Sequence, residues 1–217
     1  MAALTAASIS FAPEKQFRYV SGDPSIDLVN TTEWTNQGLE KDRLSDYGRL
    51  IEWAEGAGVL KAADARRLCA AAARQPRSAA HAYRAARQLR AVLQRVFWAV
   101  AKGKAPGLEL TKLNALLAET MAYGELQRLS TGRLVWTWSG WGEKLDSILW
   151  PVIRSAAHLL ESEDIERLRV CELPECGWMY LDHSRNGLRR WCQMDVCGTK
   201  EKTRRRRERT KRRRQKS

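Results

Sequence analysis

A mainly α-helical domain with a small β-hairpin, followed by a treble-clef-like zinc finger that ends in a basic helix, is the fold this sequence predicts. Three observations carry it. From residue 40 to about 122, apolar residues recur at spacings of three and four, the period of helices with one buried face. Four of the five cysteines form two Cys-x4-Cys pairs, Cys171/Cys176 and Cys192/Cys197, with fifteen residues between the pairs. Residues 199–217 hold twelve Lys/Arg against only Glu201 and Glu208, so this end carries +10 of the formal +13 of the 217-residue chain. The basic character is therefore local, which points one end of the molecule at a polyanion, nucleic acid first.

The elements follow in order. In IDLVNT (Ile26 to Thr31), Asp27, Asn30 and Thr31 are expected to satisfy backbone groups around a turn or helix start. The alternative is that these three residues line a pocket for a small effector. Leu44, Tyr47, Leu50, Ile51 and Ala54 form an apolar stripe that Gly56 and Gly58 stop. Residues 64–74 predict a second helix, ended near Pro76, with Cys69 a small buried residue on it. The longest stripe runs from Ala82 through Ala86, Leu89, Val92 and Leu93 to Val96, with arginines on the other face and Gly103, Pro106 and Gly107 as breakers. A fourth helix is expected over residues 109–121. The period then changes to two, and Leu134, Trp136 and Trp138 predict a hairpin turned by residues 130–133. Residues 144–162 return to helix, with Pro151 tolerated in the first turn. Trp98, Trp136, Trp138 and Trp150 are expected in the core.

The segment after Cys171 has too few apolar residues to fold alone without a metal or disulfides. No run approaches the roughly 18 apolar residues of a membrane span, and no basic n-region of a signal peptide is seen, so a cytoplasmic location is expected. There, clustered cysteines ligate metal in preference to forming disulfides. Pairs separated by roughly two to four residues suit tetrahedral zinc, and four thiolates leave no open position for activating water. One structural Zn2+ on Cys171, Cys176, Cys192 and Cys197 is the expected reading; a redox dithiol and metal-free structural thiols are the alternatives. Gly177 and Gly198 are expected to give the two turns a positive φ. Residues 178–182 and 188–191 predict two strands around a turn, in which His183 is a solvent-facing residue or, alternatively, a substitute ligand. The basic helix that follows has no apolar stripe and is expected to stay frayed until a polyanion is present. The domains are placed at 1–165, 166–202 and 203–217.

These residues resemble the CGNR zinc-finger family of bacterial proteins, whose helical N-terminal domain is called ABATE and which is assigned to stress-induced transcription regulation. The four cysteines, Tyr180, Asp182, Ser184, Asn186, and the run Arg189-Arg190-Trp191-Cys192 stand where the family has its finger motif. IDLVNT is similar to its N-terminal signature. One departure is that the eponymous Cys-Gly-Asn-Arg is here Cys197-Gly198-Thr199-Lys200. No zinc ligand changes; Thr199 can cap a helix, while Lys200 keeps the charge without the planar fork of arginine. The resemblance implies a DNA-binding transcription regulator, responsive to stress or an effector through its helical domain and associated with the nucleoid. Arg189, Arg190, Lys200, Lys202, Arg204, Arg205, Arg206 and Arg207 are the residues expected to face duplex DNA. An RNA-binding or ribosome-associated protein is the alternative. The chain shows no nucleophile motif, phosphate-binding glycine loop or histidine cluster, so no enzyme is expected. Whether the helical domain forms a homodimer is left open by the sequence; a dimer would set half-site spacing.

Overall fold

The computed structural model describes residues 17–35 and 38–214. The first helix, α1 (Pro24–Val29), is short because both ends are fixed. Asp23 caps it by accepting a hydrogen bond from the Ser25 amide at 2.7 Å, and Pro24 sits in the first turn, where it has no N–H to lose. An antiparallel hairpin follows, β1 (Thr32–Thr35) and β2 (Gly38–Asp42), with Thr32 opposite Asp42. It was not expected, because its strands are too short and too polar to show an alternating pattern.

The expected helices come next: α2 (Tyr47–Gly56), α3 (Ala62–Arg74), α4 (Pro76–Ala101) and α5 (Leu108–Met121). The expected hairpin is β3 (Gly124–Arg128) with β4 (Leu134–Trp138), in which Leu126 faces Trp136. A 3-10 turn over Leu145–Leu149 leads into α6 (Trp150–Glu161), with Pro151 in its first turn. A second 3-10 turn, Glu163–Arg167, precedes β5 (Leu168–Val170), β6 (Met179–Leu181) and the final helix α7 (Thr199–Arg214).

The long helix α4 packs against α1, α2, α3, α5 and β5. Its stripe is buried as expected at Ala82, Ala86, Leu89, Val92, Leu93 and Val96. One arginine leaves the solvent face: Arg90 is buried, with Nη1 and Nη2 on the two carboxylate oxygens of Asp42 at 2.7 and 2.6 Å and Nη1 also on the Thr31 hydroxyl at 2.9 Å. Burial would raise the Asp42 carboxyl, but the Arg90 hydrogen bonds and charge outweigh it and hold the group below the usual carboxylate range. Removing Asp42 would strand the buried Arg90 charge, whereas Asp42 is half-buried and also meets Arg87 at 3.5 Å.

Two further expectations are corrected. Cys69 is exposed, because it follows Leu68 on α3 and it is Leu68 that faces the core. Of the four tryptophans expected in the core, only Trp150 is buried; Trp98 is exposed under Lys102, and Trp136 and Trp138 are half-buried on a two-stranded hairpin where Arg154 and Trp150 of α6 lie against them. Trp53 is the tryptophan that fills the centre. Gly56 also has a role beyond ending α2, since a Cβ there would lie 2.1 Å from the Tyr19 hydroxyl, which donates to the Trp53 carbonyl.

The main core extends past residue 165. Leu168, Met179 and Leu181 belong to the same buried cluster as Leu28, Leu50 and Leu93, while Trp178 and Tyr180 belong to a small second cluster with Leu173, Cys171, Cys192 and Cys197. Strand alternation explains this: Met179 and Leu181 point one way and Tyr180 the other. Helix α7 likewise crosses residue 202 without a break.

Candidate metal centre and nucleic-acid interface

The first cysteine pair sits in the connection between β5 and β6. The Cys171 amide donates to the Trp178 carbonyl at 2.8 Å, the Cys176 amide donates to the Leu173 carbonyl at 3.0 Å, and Gly177 takes φ +66° to leave the turn. The second pair encloses a wide helical turn, Met194–Gly198, in which the Cys197 and Gly198 amides both donate to the Gln193 carbonyl. Gly198 is not at positive φ, contrary to expectation. A Cβ there would lie 2.4 Å from the sulfur of the exposed Met194 side chain, which would have to move aside.

The four sulfurs lie within 4.8 Å of one another. Cys176, Cys192 and Cys197 are separated by 3.5 to 3.7 Å. A tetrahedron with Zn–S bonds of about 2.3 Å has edges of about 3.8 Å, so the donor set fits one structural zinc. Hydrogen bonds from the Cys176, Cys192 and Cys197 thiols push Cys171 below the ordinary thiol range, so a thiolate is favoured in the cluster even before a dication is added. His183 is exposed and stands outside the cluster.

The loop between the pairs is built around Asp182. Its carboxylate accepts from the Ser184 amide and hydroxyl and from the Arg189 amide, and these bonds outweigh desolvation to hold it below the usual range. The Tyr180 hydroxyl donates to the Arg189 carbonyl at 2.6 Å. Residues 188–191, expected as the second strand, are not one. β5 takes that place, with Leu168 opposite Leu181 and Val170 opposite Met179. Proline-free but short, β5 contributes only three residues, which is why its alternation is invisible in the sequence.

The expected nucleic-acid residues fall into three groups. Arg189 is turned into the finger: its Nε donates to the Trp191 carbonyl at 3.0 Å, its Nη2 to the Cys192 carbonyl, and its guanidinium stacks 4.2 Å from the Tyr180 ring centroid. Arg190 pairs with Glu172, and on α7 Arg204 and Arg205 are held by Glu201, with Arg204 also on Glu208. Those arginine hydrogen bonds, Arg204 first, pull the Glu201 carboxyl down to about 2. Lys200, Lys202, Arg206 and Arg207 are exposed and have no ion-pair partner among the described residues. Helix α7 runs through Arg214, and its i,i+3 and i,i+4 Glu–Arg pairs support it locally. Thr199 does not cap it; its hydroxyl reaches back to the Met194 carbonyl at 3.4 Å.

The IDLVNT residues meet the finger. The Asn30 side chain donates to the Met179 carbonyl at 2.8 Å and accepts from the Met179 amide at 3.0 Å, acting as a one-residue strand beside β6. The Leu181 amide donates to the Ser21 carbonyl, and Trp178 Nε1 donates to the Thr32 carbonyl at 2.9 Å. Asp27 fixes the Ser21 segment by accepting from the Val20 and Ser21 amides, both at 3.2 Å. Thr31 donates to the Leu28 carbonyl and receives Arg90. Asp27, Asn30 and Thr31 are all buried. Asn30→Ala is expected to strand both polar groups of Met179, at about 1–3 kcal/mol each. Urea unfolding of the zinc-loaded protein checks this, and Asn30→Asp, which keeps one acceptor, should fall between the two.

Burial pushes the Asp27 carboxyl up to about 6, against the opposing hydrogen bonds from Ser21 and Val20. Between the unfolded value of 3.8 and about 6 the folded chain keeps a proton that the unfolded chain has lost. Stability from this group is therefore complete below that window and falls as pH rises through it, by at most about 3 kcal/mol. Asp27→Asn should flatten the melting temperature between pH 4 and 7 relative to the parent. The comparison isolates Asp27 from the thiolates, which protonate in both proteins.

No described helix is long and apolar enough to cross a membrane. The ABATE family model, described as "Putative stress-induced transcription regulator", matches residues 22–163. The CGNR zinc-finger model matches residues 167–210, which contain all four clustered cysteines and most of α7. No curated protein matches the chain. The helical match alone spans well over half of the sequence, it ends where the finger match begins, and the metal centre lies where the second model places a zinc finger: the chain belongs to the ABATE family and carries a CGNR zinc finger.

Proposed function

We propose that the protein is a DNA-binding transcription regulator of the cytoplasm and nucleoid, in which zinc orders the finger so that α7 is held out toward duplex DNA. The observation that carries this reading is the position of α7. It begins two residues after the last zinc ligand, it has no apolar face to dock on the core, and its unpaired cations lie on more than one side. Sixteen helical residues extend about 24 Å, and a helix of that kind fits the roughly 12 Å wide major groove of B-DNA. Lys200, Lys202, Arg206 and Arg207 supply phosphate contacts there, which give affinity and salt dependence; a few side chains at base edges supply sequence preference. Arg189 acts by shaping the second zinc turn. The helical domain is the input side and has no catalytic step of its own: α1 packs on α4, α6 and β6, so a change in the helical domain reaches the finger through Asn30.

The test is selection from random duplex DNA with the zinc-loaded protein at physiological salt, with structured RNA as competitor. An enriched duplex motif that RNA does not displace is the expected result. Binding with no motif, displaced by RNA, would replace this reading with RNA binding. The mass of the complex on a single selected site also reports whether one chain or a homodimer binds.

A further inference from the structure

A cleft of about 970 Å3 opens between α4 and α5 and is closed at one end by α6 and the chain at Tyr123 and Lys144. Its walls are apolar, from Leu89 and Val92 on α4, Leu116 on α5, and Leu149 and Ile153. Alanines at 85, 91 and 115 leave the space between the helices unfilled. The closed end is aromatic. Tyr123 and Trp150 both line it and stack face to face, centroids 4.3 Å apart and 4° from parallel, with Trp138 leaning on Trp150 from behind at 6.0 Å.

Among the polar groups that line the cleft, Lys144 and Thr120 bear on what it could hold. Of the basic side chains at the cleft, Arg95 and Lys112 are bound by Glu109. Lys144 is not: its ammonium lies 4.4 Å from the Tyr123 ring centroid and donates to the Tyr123 hydroxyl, and no carboxylate pairs with it among the described residues. The Tyr123 bond, with the nearby Asp146 charge, keeps it protonated. Thr120 on α5 is 3 % exposed and also lines the cleft.

We propose that this cleft binds a small aromatic carboxylate, its ring packed at the Tyr123 and Trp150 end, its carboxylate on the Lys144 ammonium, and Thr120 as a second polar contact. Apolar walls with an aromatic end and a lysine that no carboxylate pairs among the described residues select a monoanion carrying a ring. A phosphate ester would bring a second negative charge that Lys144 alone does not balance, since the cleft's only arginine, Arg95, is already paired. Glu119 and Asp146 at the rim further disfavour a polyanion. The site is also connected to the finger by direct contacts. Arg90 lies on α4 between the cleft residues Leu89 and Val92 and holds Thr31. On α6, Ser155 donates at 2.6 Å to Asp23, the cap of α1. The helix that presents Asn30 to the finger is thus held from α4, one wall of the cleft, and from α6, which closes its end.

This deepens the effector reading above, and it is tested on the protein alone, so its failure leaves the DNA-binding reading standing. Indole-3-acetate and salicylate, each beside its neutral amide, are titrated into the zinc-loaded full-length protein by calorimetry. At least one acid is expected to bind, about tenfold or more tighter than its amide. Lys144→Met should bring that acid down to the affinity of the amide, and Ala115→Phe should abolish binding of both by filling the space. Residues 115 and 144 are exposed, so both variants should keep the parent near-ultraviolet circular dichroism and zinc content. The proposal is overturned if neither acid binds at millimolar concentration, if acid and amide bind alike, or if binding survives Ala115→Phe.

Discussion

Cys176→Ser should lower zinc from one per chain to well below that and unfold the finger, with the damage extending into the helical core. Structural zinc is worth roughly 10–16 kcal/mol in small finger peptides. The cluster it would have to replace consists of Leu173, Trp178 and Tyr180 with three of the cysteines themselves, so packing cannot compensate. The extension into the core follows from β6. Its Met179 and Leu181 are buried among the helices while Tyr180 is buried beside the thiols, so a strand released on one face loosens on the other. Metal analysis reads the first effect. Hydrogen exchange reads the second, with protection lost at Leu168–Val170 and Met179–Leu181 and reduced in α1, while α2 and α3 change least. Retention of one zinc per chain with protected β6 amides would refute the ligand set.

Deletion of residues 203–217 should flatten the salt dependence of duplex binding. Each phosphate neutralised contributes about −0.9 to the slope of log affinity against log salt on B-DNA. If about five of the deleted cations reach phosphates, the slope loses roughly 4 to 5, and between 50 and 200 mM salt the parent should weaken roughly 10²- to 10³-fold more than the deletion. The zinc centre remains whole, because its last ligand is Cys197. Single substitutions refine the expectation. Arg206→Ala and Arg207→Ala should each lower the slope by close to one contact, and Arg205→Ala by less, because Glu201 already holds Arg205 at 2.6 Å. An unchanged slope in the deletion would make the tail a bystander.

The same distinction between free and engaged cations separates what a sequence reader sees from what folding adds. An arginine in a row of arginines is one residue type in the sequence. In the fold, Arg189 braces the carbonyls of Trp191 and Cys192, Arg90 neutralises Asp42 in the interior, and Arg206 stands in solvent. Residue type does not distinguish them: Arg189 is held by carbonyls two and three residues on and by the Tyr180 ring, whereas the partners of Arg90 lie 48 and 59 positions away. Gly198 makes the same point on a smaller scale. Its position after a zinc ligand suggested a positive φ, whereas its φ is negative and what lies against it is the Met194 side chain.

What the sequence determined by itself is local in origin. The 3.6-residue period marked α2 through α6, the change to period two marked β3 and β4, and the spacing of Cys171, Cys176, Cys192 and Cys197 marked the zinc site, since chelation by a tight turn is a short-range requirement. The concentration of charge at one end marked the surface that meets a polyanion. What only the tertiary structure decided depends on residues far apart in the chain. Asn30 and Met179 are separated by 149 positions, yet their paired hydrogen bonds join the finger to the helical domain. The three-residue β5 exists because β6 is there to pair with it, and the cleft exists because α4, α5 and α6 meet with alanines between them. Periodicity reports which face of an element is buried; it does not report what that face is buried against, and the joint and the cleft both follow from that second choice.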